Sequence, residues 1–367
     1  MPISAFPFAP PDPPGAAVAA GADRDGTLDA LLEPHLRDAV AALDGGAPLL
    51  AGMARYHLGT VDPRFHPVAP GQVDRGKRVR PAVALLSCAA AGGDPAAAAP
   101  LGAALELLHN FTLIHDDIQD QSPSRRHRPT VWSQWGAGQA INAGDALFAA
   151  AHLPLYRLRD GGAPASLVLR VLEGFDRMTI EIVRGQTLDL GFEGRPDVTA
   201  DDYLAMIAGK TAAIVCFAAA AGALLGGADE AESERFGAFG LALGLGFQVR
   251  DDALGIWGSA AATGKVAADD IRRRKQALPA LLLRERLAGN ARAELDALYG
   301  APDIDDRGIA RVLALMAETG VRAAVEERVA AYHDLARREL IAAARPGPNA
   351  GRDSLLALVD GLAGRPG

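Results

Sequence analysis

The sequence predicts an all-α protein, and three observations carry that expectation. Alanine is abundant while aromatic residues make up only 5% of the 367 residues, a balance that favours helices over strands. Apolar residues recur at helical spacing, as at Leu28, Leu31, Leu32, His35 and Leu36, and again at Leu101, Leu105, Leu108 and Thr112. No alternating strand pattern and no βαβ rhythm stands beside them, and no repeat of solenoid period is present. With 49% apolar residues, the chain can bury a sizeable core.

Along the chain, residues 1–26 ("MPISAFPFAPPDPPGAAVAAG…") are rich in Pro and Ala and read as a disordered lead-in. They carry no basic segment before their apolar residues, so they do not read as a signal peptide. Residues 27–367 read as one all-α domain of roughly ten or more helices. Its breaks fall at "AAGGDPAA", "RDGGAPAS", "EGRPDVTADD" and "ARPGPNAGRD", clusters of turn-forming residues. Thr199, with Asp202 three positions on, has the spacing of a capping box. The uncharged stretch from Ala212 to Ala228 is short and weakly apolar for a membrane span and reads as a buried helix, so no transmembrane segment is expected. Cys88 and Cys216 lie far apart in apolar surroundings, as reduced core residues of a cytoplasmic protein do. A formal net charge of −8 argues against a nucleic-acid partner.

The chemistry concentrates in "FTLIHDDIQDQSPSRRHRPT" (Phe111 to Thr130). On a helix, Asp116 and Asp120 share a face and Asp117 lies about 100° around. An isolated acidic triplet is most often a solvated helix end. A second patch, Asp251 and Asp252, closes the apolar run "LALGLGFQV", where uncompensated charge is costly. Two such patches facing one another suit Mg²⁺, which keeps waters and shares its coordination with substrate phosphates. The basic residues supply the rest. "GKRVRP" holds Lys77, Arg78 and Arg80, joined by Arg125, Arg126, Lys210, Lys265 and Lys275, and guanidinium groups grip phosphate oxygens bidentately. Acids hold metal, and metal and bases together hold a diphosphate.

In order, "GKRVRP", "LELLHNFTLIHDDIQD", "RRHRPT", "NAGDALFA", "GQTLDL", "KTA", "GFQVRDD", "TGK" and "DDIRRRKQALP" resemble the trans-isoprenyl diphosphate synthases of the polyprenyl synthetase family. The likeness runs from about Gly76 to Pro279. It implies the isoprenoid synthase fold, a single large helical bundle around a central cavity, with three Mg²⁺ ions per site and a homodimer. It further implies that Asp116 and Asp120, supported by Asp117, ligate Mg²⁺ on the allylic diphosphate, with Asp251 and a supporting Asp252 on the opposite side. Arg125, Lys210 and Lys265 would contact the allylic diphosphate. Lys77, Arg78, His109 and Arg126 would hold isopentenyl diphosphate, and Thr211 and Gln248 would line the place where the allylic cation forms. By the same resemblance the allylic C–O bond ionises, the second substrate's double bond attacks, and a proton is lost.

A lone His on an apolar helix is more often a core residue than a ligand, so His109 is singled out only by its place in "ELLHNFTLIHDD". Asp145 and Asp189 read as buried acids that orient neighbours. Many relatives end the second motif in a third Asp; here position 255 is Gly, with Asp269 and Asp270 further along. Four or five positions before Asp116 is about one helical turn, which places Phe111 and Thr112 on the floor of the allylic pocket. That floor, with no insertion in the first motif, resembles geranylgeranyl diphosphate synthases and a twenty-carbon product, with a fifteen-carbon farnesyl product as the alternative. A terpene cyclase would have no use for the second diphosphate's residues. A non-catalytic partner subunit would lack the first Asp motif. A purely structural helical protein would leave the clustered charge without a role.

Overall fold

In the computed structural model, the residues described are 24–69, 72–73, 76–193, 195, 197–258, 268–301 and 303–363. They contain sixteen α-helices. The first nine are α1 (Arg24–Ala41), α2 (Pro48–His57), α3 (Val79–Ala90), α4 (Ala99–Gln119), α5 (Val131–Trp135), α6 (Ala137–Tyr156), α7 (Ala165–Phe192), α8 (Ala200–Ile207) and α9 (Ala213–Leu225). After α10 (Glu230–Trp257) come the short α11 (Asp269–Arg272), then α12 (Leu278–Arg286), α13 (Gly289–Gly300) and α14 (Asp306–Glu318). The long α15 (Val321–Ala343) and α16 (Ala350–Ala363) complete the chain. Residues 1–23 of the expected lead-in lie outside the described residues, and Arg24 to Gly26 form the first turn of α1.

Helix α4 packs on α6, α6 on α7, α7 on α9, α9 on α3, and α3 back on α4, closing a ring of five helices. Small residues permit the close approaches: α9 is mostly Ala and Gly and sits against both α3 and α10. The core has two adjoining parts. One lies inside the ring and extends to α16; the other gathers α8, the C-terminal half of α10 and α11 to α15. Thr199 and Asp202 form the expected capping box, each side chain accepting from the other's backbone N–H. A second box, Asp229 with Glu232, starts α10.

Two helical stretches, Pro95–Gln119 and Ala200–Leu225, have the length and hydropathy to cross a membrane. Both are built into the bundle, the first largely buried within it. One strand pair was not foreseen. Ser124–Arg125 (β1) pairs with Arg128–Pro129 (β2) around Arg126 and His127, both in the left-handed region with φ of 50° and 59°. A tight hairpin needs that geometry at both central positions and usually takes it with Asn-Gly; here two bulky residues adopt it. The base is tied down by Thr130 Oγ1 and Trp132 Nε1, both donating to Ser122 O. Arg128 lies 4.0 Å over the Tyr56 ring, whose hydroxyl donates to Pro129 O.

Candidate active site

The functional side chains converge at one end of the helical ring. Helix α4 brings Asp116 and Asp117 in its last turn, with Asp120 as its C-cap. Burial is the main reason the Asp116 carboxyl is pushed up to about 6; Lys210 draws it back, and Asp120 pushes it further up. Asp116 is half-buried and Asp120 exposed. Asp117 is used differently. It is buried and accepts from both Nε and Nη2 of Arg125 at 2.9 Å. Its carboxylate therefore holds the hairpin's first arginine in place rather than standing beside Asp116 and Asp120.

Lys210 sits in a π-helical turn, Ala208–Ala212, between α8 and α9; such turns swing a side chain out of the regular helical register. Its ammonium is paired with Asp189 of α7 and lies within electrostatic reach of Asp116. Asp189 thus orients a neighbour as its sequence suggested. Neither acid is buried as expected: Asp189 is half-buried, and Asp145 is exposed, facing His115 Nε2 at 3.7 Å. Thr211 donates to Gln248 Oε1 at 3.0 Å, and Gln248 donates to Asp252 Oδ1 at 3.2 Å. Asp252 is fully buried and also receives the Tyr203 hydroxyl and the Lys275 ammonium. Three donors take up its oxygens, so its place is behind Asp251, which is half-buried.

The basic cluster differs from the sequence assignment at one position. Arg78, itself left-handed with φ 45° at the start of α3, points to α1 and donates to Asp29 and Glu33. Arg80 instead is within reach of Glu106, Arg126 and Asp251, and its Nε is buried without a partner. Burial and the charges of Arg80, Arg126, Arg125 and His57 hold His109 well below the usual imidazole range, hence neutral at pH 7. Gly76, with φ 79°, lies against the Arg126 guanidinium, where a Cβ would collide with it; Lys77, the next residue, is exposed. Lys265 lies outside the described residues.

Below the charges, aromatic rings run through the bundle. Phe111 on α4 contacts Phe148 on α6 (centroids 5.2 Å), Phe148 contacts His152 (5.1 Å), His152 contacts Phe175 on α7 (5.0 Å), and Phe175 contacts Phe217 on α9 (6.2 Å). Phe217 lines an apolar groove of about 500 Å³ with Cys216, Ala220, Ala221, Leu224 and Leu241. Thr112 turns its hydroxyl back to His109 O.

Among the described residues, no three acidic, His or Cys side chains close into a ready-made cage. That fits a cation held by one or two carboxylates, waters and substrate phosphates, and Asp116, raised chiefly by burial with Asp120 adding to it, is a carboxyl whose ionised form such a cation would favour. Residues 67–316 match the family described as polyprenyl synthetase. The chain belongs to the polyprenyl synthetase family. Among its relatives in that family, a geranylgeranyl diphosphate synthase of Mycobacterium tuberculosis is 44% identical over 254 residues, covering 69% of this chain and 70% of that one. A (2E,6E)-farnesyl diphosphate synthase of Mycobacterium bovis is 43% identical over 254 residues, covering 69% and 68%. A solved polyprenyl synthetase from Streptomyces coelicolor superposes with TM-score 0.81 at 36% identity, covering 92% of this chain and 97% of that one. This polyprenyl synthetase thus shares its fold along nearly its whole length with a solved family member. Signals within its sequence were available for Arg80, which stands in the same hexapeptide as Arg78, but not for the roles of Tyr203 and Glu106.

Proposed function

We propose that the protein is a trans-prenyltransferase that joins isopentenyl diphosphate to an allylic diphosphate with Mg²⁺, giving geranylgeranyl diphosphate. The observation that carries this is the presence of two cationic groups around one pair of acidic patches. Arg125 and Lys210 flank Asp116, while Arg80, Arg126 and Arg125 gather around neutral His109. Two diphosphate sites call for two substrates, which a cyclase does not have.

Asp116, Asp120 and Asp251 would hold Mg²⁺, three ions in all, whose Lewis acidity eases departure of the allylic diphosphate. Arg125 and Lys210, each pre-oriented by a carboxylate, meet the leaving oxygens. Lys265 is assigned to the same diphosphate from its sequence motif. Arg80, Arg126, Lys77 and His109 hold isopentenyl diphosphate close to the forming cation, so that its double bond is the nearest nucleophile. The Thr211–Gln248 pair offers dipoles to that cation. The proton released on condensation passes to the departed diphosphate, so no covalent enzyme intermediate is needed.

Product analysis tests this. Purified protein is given Mg²⁺, isopentenyl diphosphate and, in turn, dimethylallyl, geranyl and farnesyl diphosphate, and the prenyl alcohols are sized after phosphatase treatment. The expected product has twenty carbons, and Phe111→Ala is expected to lengthen it by one or more five-carbon units, because the ring nearest the metal site is removed. Accumulation at fifteen carbons would establish the farnesyl alternative; hydrocarbon formed without isopentenyl diphosphate would establish a cyclase.

The protein is further proposed to be cytoplasmic and a homodimer. Leu169, Ile180, Val183 and Leu190 share one face of α7, and Ile141 and Tyr156 of neighbouring α6 are exposed as well. An exposed apolar stripe of this kind marks an interaction surface. Light scattering should give twice the chain mass for the parent and a monomer for Ile180→Glu/Val183→Glu; an unchanged mass would move the interface elsewhere.

A further inference from the structure

The loop between α2 and α3 carries a bulky residue in a costly conformation. Phe65 has φ 65°, left-handed backbone that such a residue adopts only where its surroundings enforce it. The enforcement is local. The Asp62 carboxylate accepts from the backbone N–H of Arg64 at 2.8 Å and of His66 at 2.9 Å, on either side of Phe65. The Asp62 N–H donates to His66 O and the Val68 N–H to Thr60 O, closing the loop around it.

What the strained backbone delivers is a ring. On α2, Gly52 is buried, and a Cβ there would lie 2.7 Å from three atoms of the Phe65 ring. The ring occupies that vacant place and stacks on Trp135 of α5, with centroids 5.7 Å apart and planes at 25°. Trp135 in turn meets Tyr56 edge-on at 5.0 Å. Tyr56 holds β2 twice over, with Arg128 above its ring and its hydroxyl on Pro129 O. Arg128 Nη2 also donates to Val61 O, in the loop that carries Phe65.

Arg125, Arg126 and Arg128 fall within four positions, and like charges this close repel. Arg125, in β1, is fixed by Asp117. Arg126 sits at the turn next to β2, so its direction follows β2. Tyr56 and the three arginines border one cavity of about 20 Å³, room for a single water, so little slack separates Arg128 from Arg126.

We propose that Phe65, Trp135 and Tyr56 form an aromatic brace behind the hairpin, and that Phe65 is a positioning residue for the grip of Arg126 on isopentenyl diphosphate. The role rests on the function proposed above. Because Asp117 sets Arg125 separately, losing the brace weakens one substrate more than the other.

Five proteins test it: the parent, Phe65→Ala, Phe65→Tyr, Gly52→Ala and Gly52→Ala/Phe65→Ala, each melted and then assayed with both substrates varied. Phe65→Ala should raise KM for isopentenyl diphosphate about tenfold, the scale of a small misplacement. Its kcat and allylic KM should stay within about twofold. Phe65→Tyr, which keeps the ring, should stay within about twofold of the parent throughout. Gly52→Ala displaces the ring without removing it, so it should raise the same KM severalfold and melt a few degrees below the parent. In the Phe65→Ala background the new Cβ meets no ring, so Gly52→Ala should cost nothing further there. A folded Phe65→Ala with the parent's KM values, equal rises in both KM values, or Gly52→Ala costs that simply add would overturn the brace and leave the prenyltransferase assignment intact. Should Phe65→Ala not fold, Gly52→Ala decides by whether its KM change falls on isopentenyl diphosphate alone. A parent that does not turn over the two substrates would overturn both.

Discussion

Asp116→Asn is expected to make the metal-free protein more stable at pH 8 by on the order of 1–2 kcal/mol while lowering turnover about a thousandfold. The carboxyl rises from 3.8 to about 6 on folding, and every tenfold gain in proton affinity corresponds to about 1.4 kcal/mol. Part of that is recovered by relaxation and by water at this half-buried position. The sign follows from linkage: between these two pKa values the folded state binds the extra proton, so stability falls as pH rises through that window. The penalty is full above about pH 6 and absent below about 3.8. The stability gap between variant and parent should therefore narrow from pH 8 to pH 5 in urea melts with EDTA. The loss of turnover reflects a missing cation ligand, several kcal/mol at about 1.36 kcal/mol per decade. In the parent, bound Mg²⁺ must displace the Asp116 proton at low pH, so the Mg²⁺ requirement should climb as pH falls below about 6. An Asn variant less stable than the parent at pH 8 would show that this carboxylate is not held under strain.

Arg80→Ala is expected to raise KM for isopentenyl diphosphate by roughly 30- to 100-fold, the scale of one lost charge-assisted contact of about 2–3 kcal/mol. KM for the allylic substrate should change little. Arg80→Lys, which keeps the charge beside Glu106 but loses the fork, should fall between. Arg78→Ala should do the reverse: stability drops by about 1 kcal/mol or less, since its partners Asp29 and Glu33 are partly exposed, and both KM values stay within about twofold. If Arg78 rather than Arg80 moved KM, the sequence-based choice between them would stand and the direction of the α3 entry would have to be revised.

Those two arginines show where sequence reasoning stops. The helical class was legible because alanine-rich periodic segments carry their period in one dimension, and the box at Thr199 because its two partners lie three residues apart. "GKRVRP" names its cations but not their directions. A left-handed backbone at Arg78 sends that side chain to α1 and leaves Arg80 facing the hairpin. The same limit hid the hairpin itself, whose turn residues Arg126 and His127 carry none of the usual turn chemistry. Asp116, Asp117 and Asp120 were visible as a group. Their division into a strained, elevated carboxyl and one committed to Arg125 depends on burial and on a partner eight residues away. Tyr203, which secures Asp252 from another helix, leaves no local mark in the sequence, and Lys275 was visible there as a base but not as the partner of Asp252.

The line of rings from Phe111 to Phe217 has a consequence of another kind. It hangs from the same helices that carry the acids and bases, yet no ring member ligates, donates to or neutralises anything in the reaction. In the function proposed here, how far a product grows and how fast each bond is made are therefore set by different side chains. A lineage can exchange one ring for a smaller side chain and reach a new class of lipid in a single mutational step, with its ionisation chemistry untouched. Because rings come in whole units, such changes should arrive as jumps in carbon number rather than as a gradual drift.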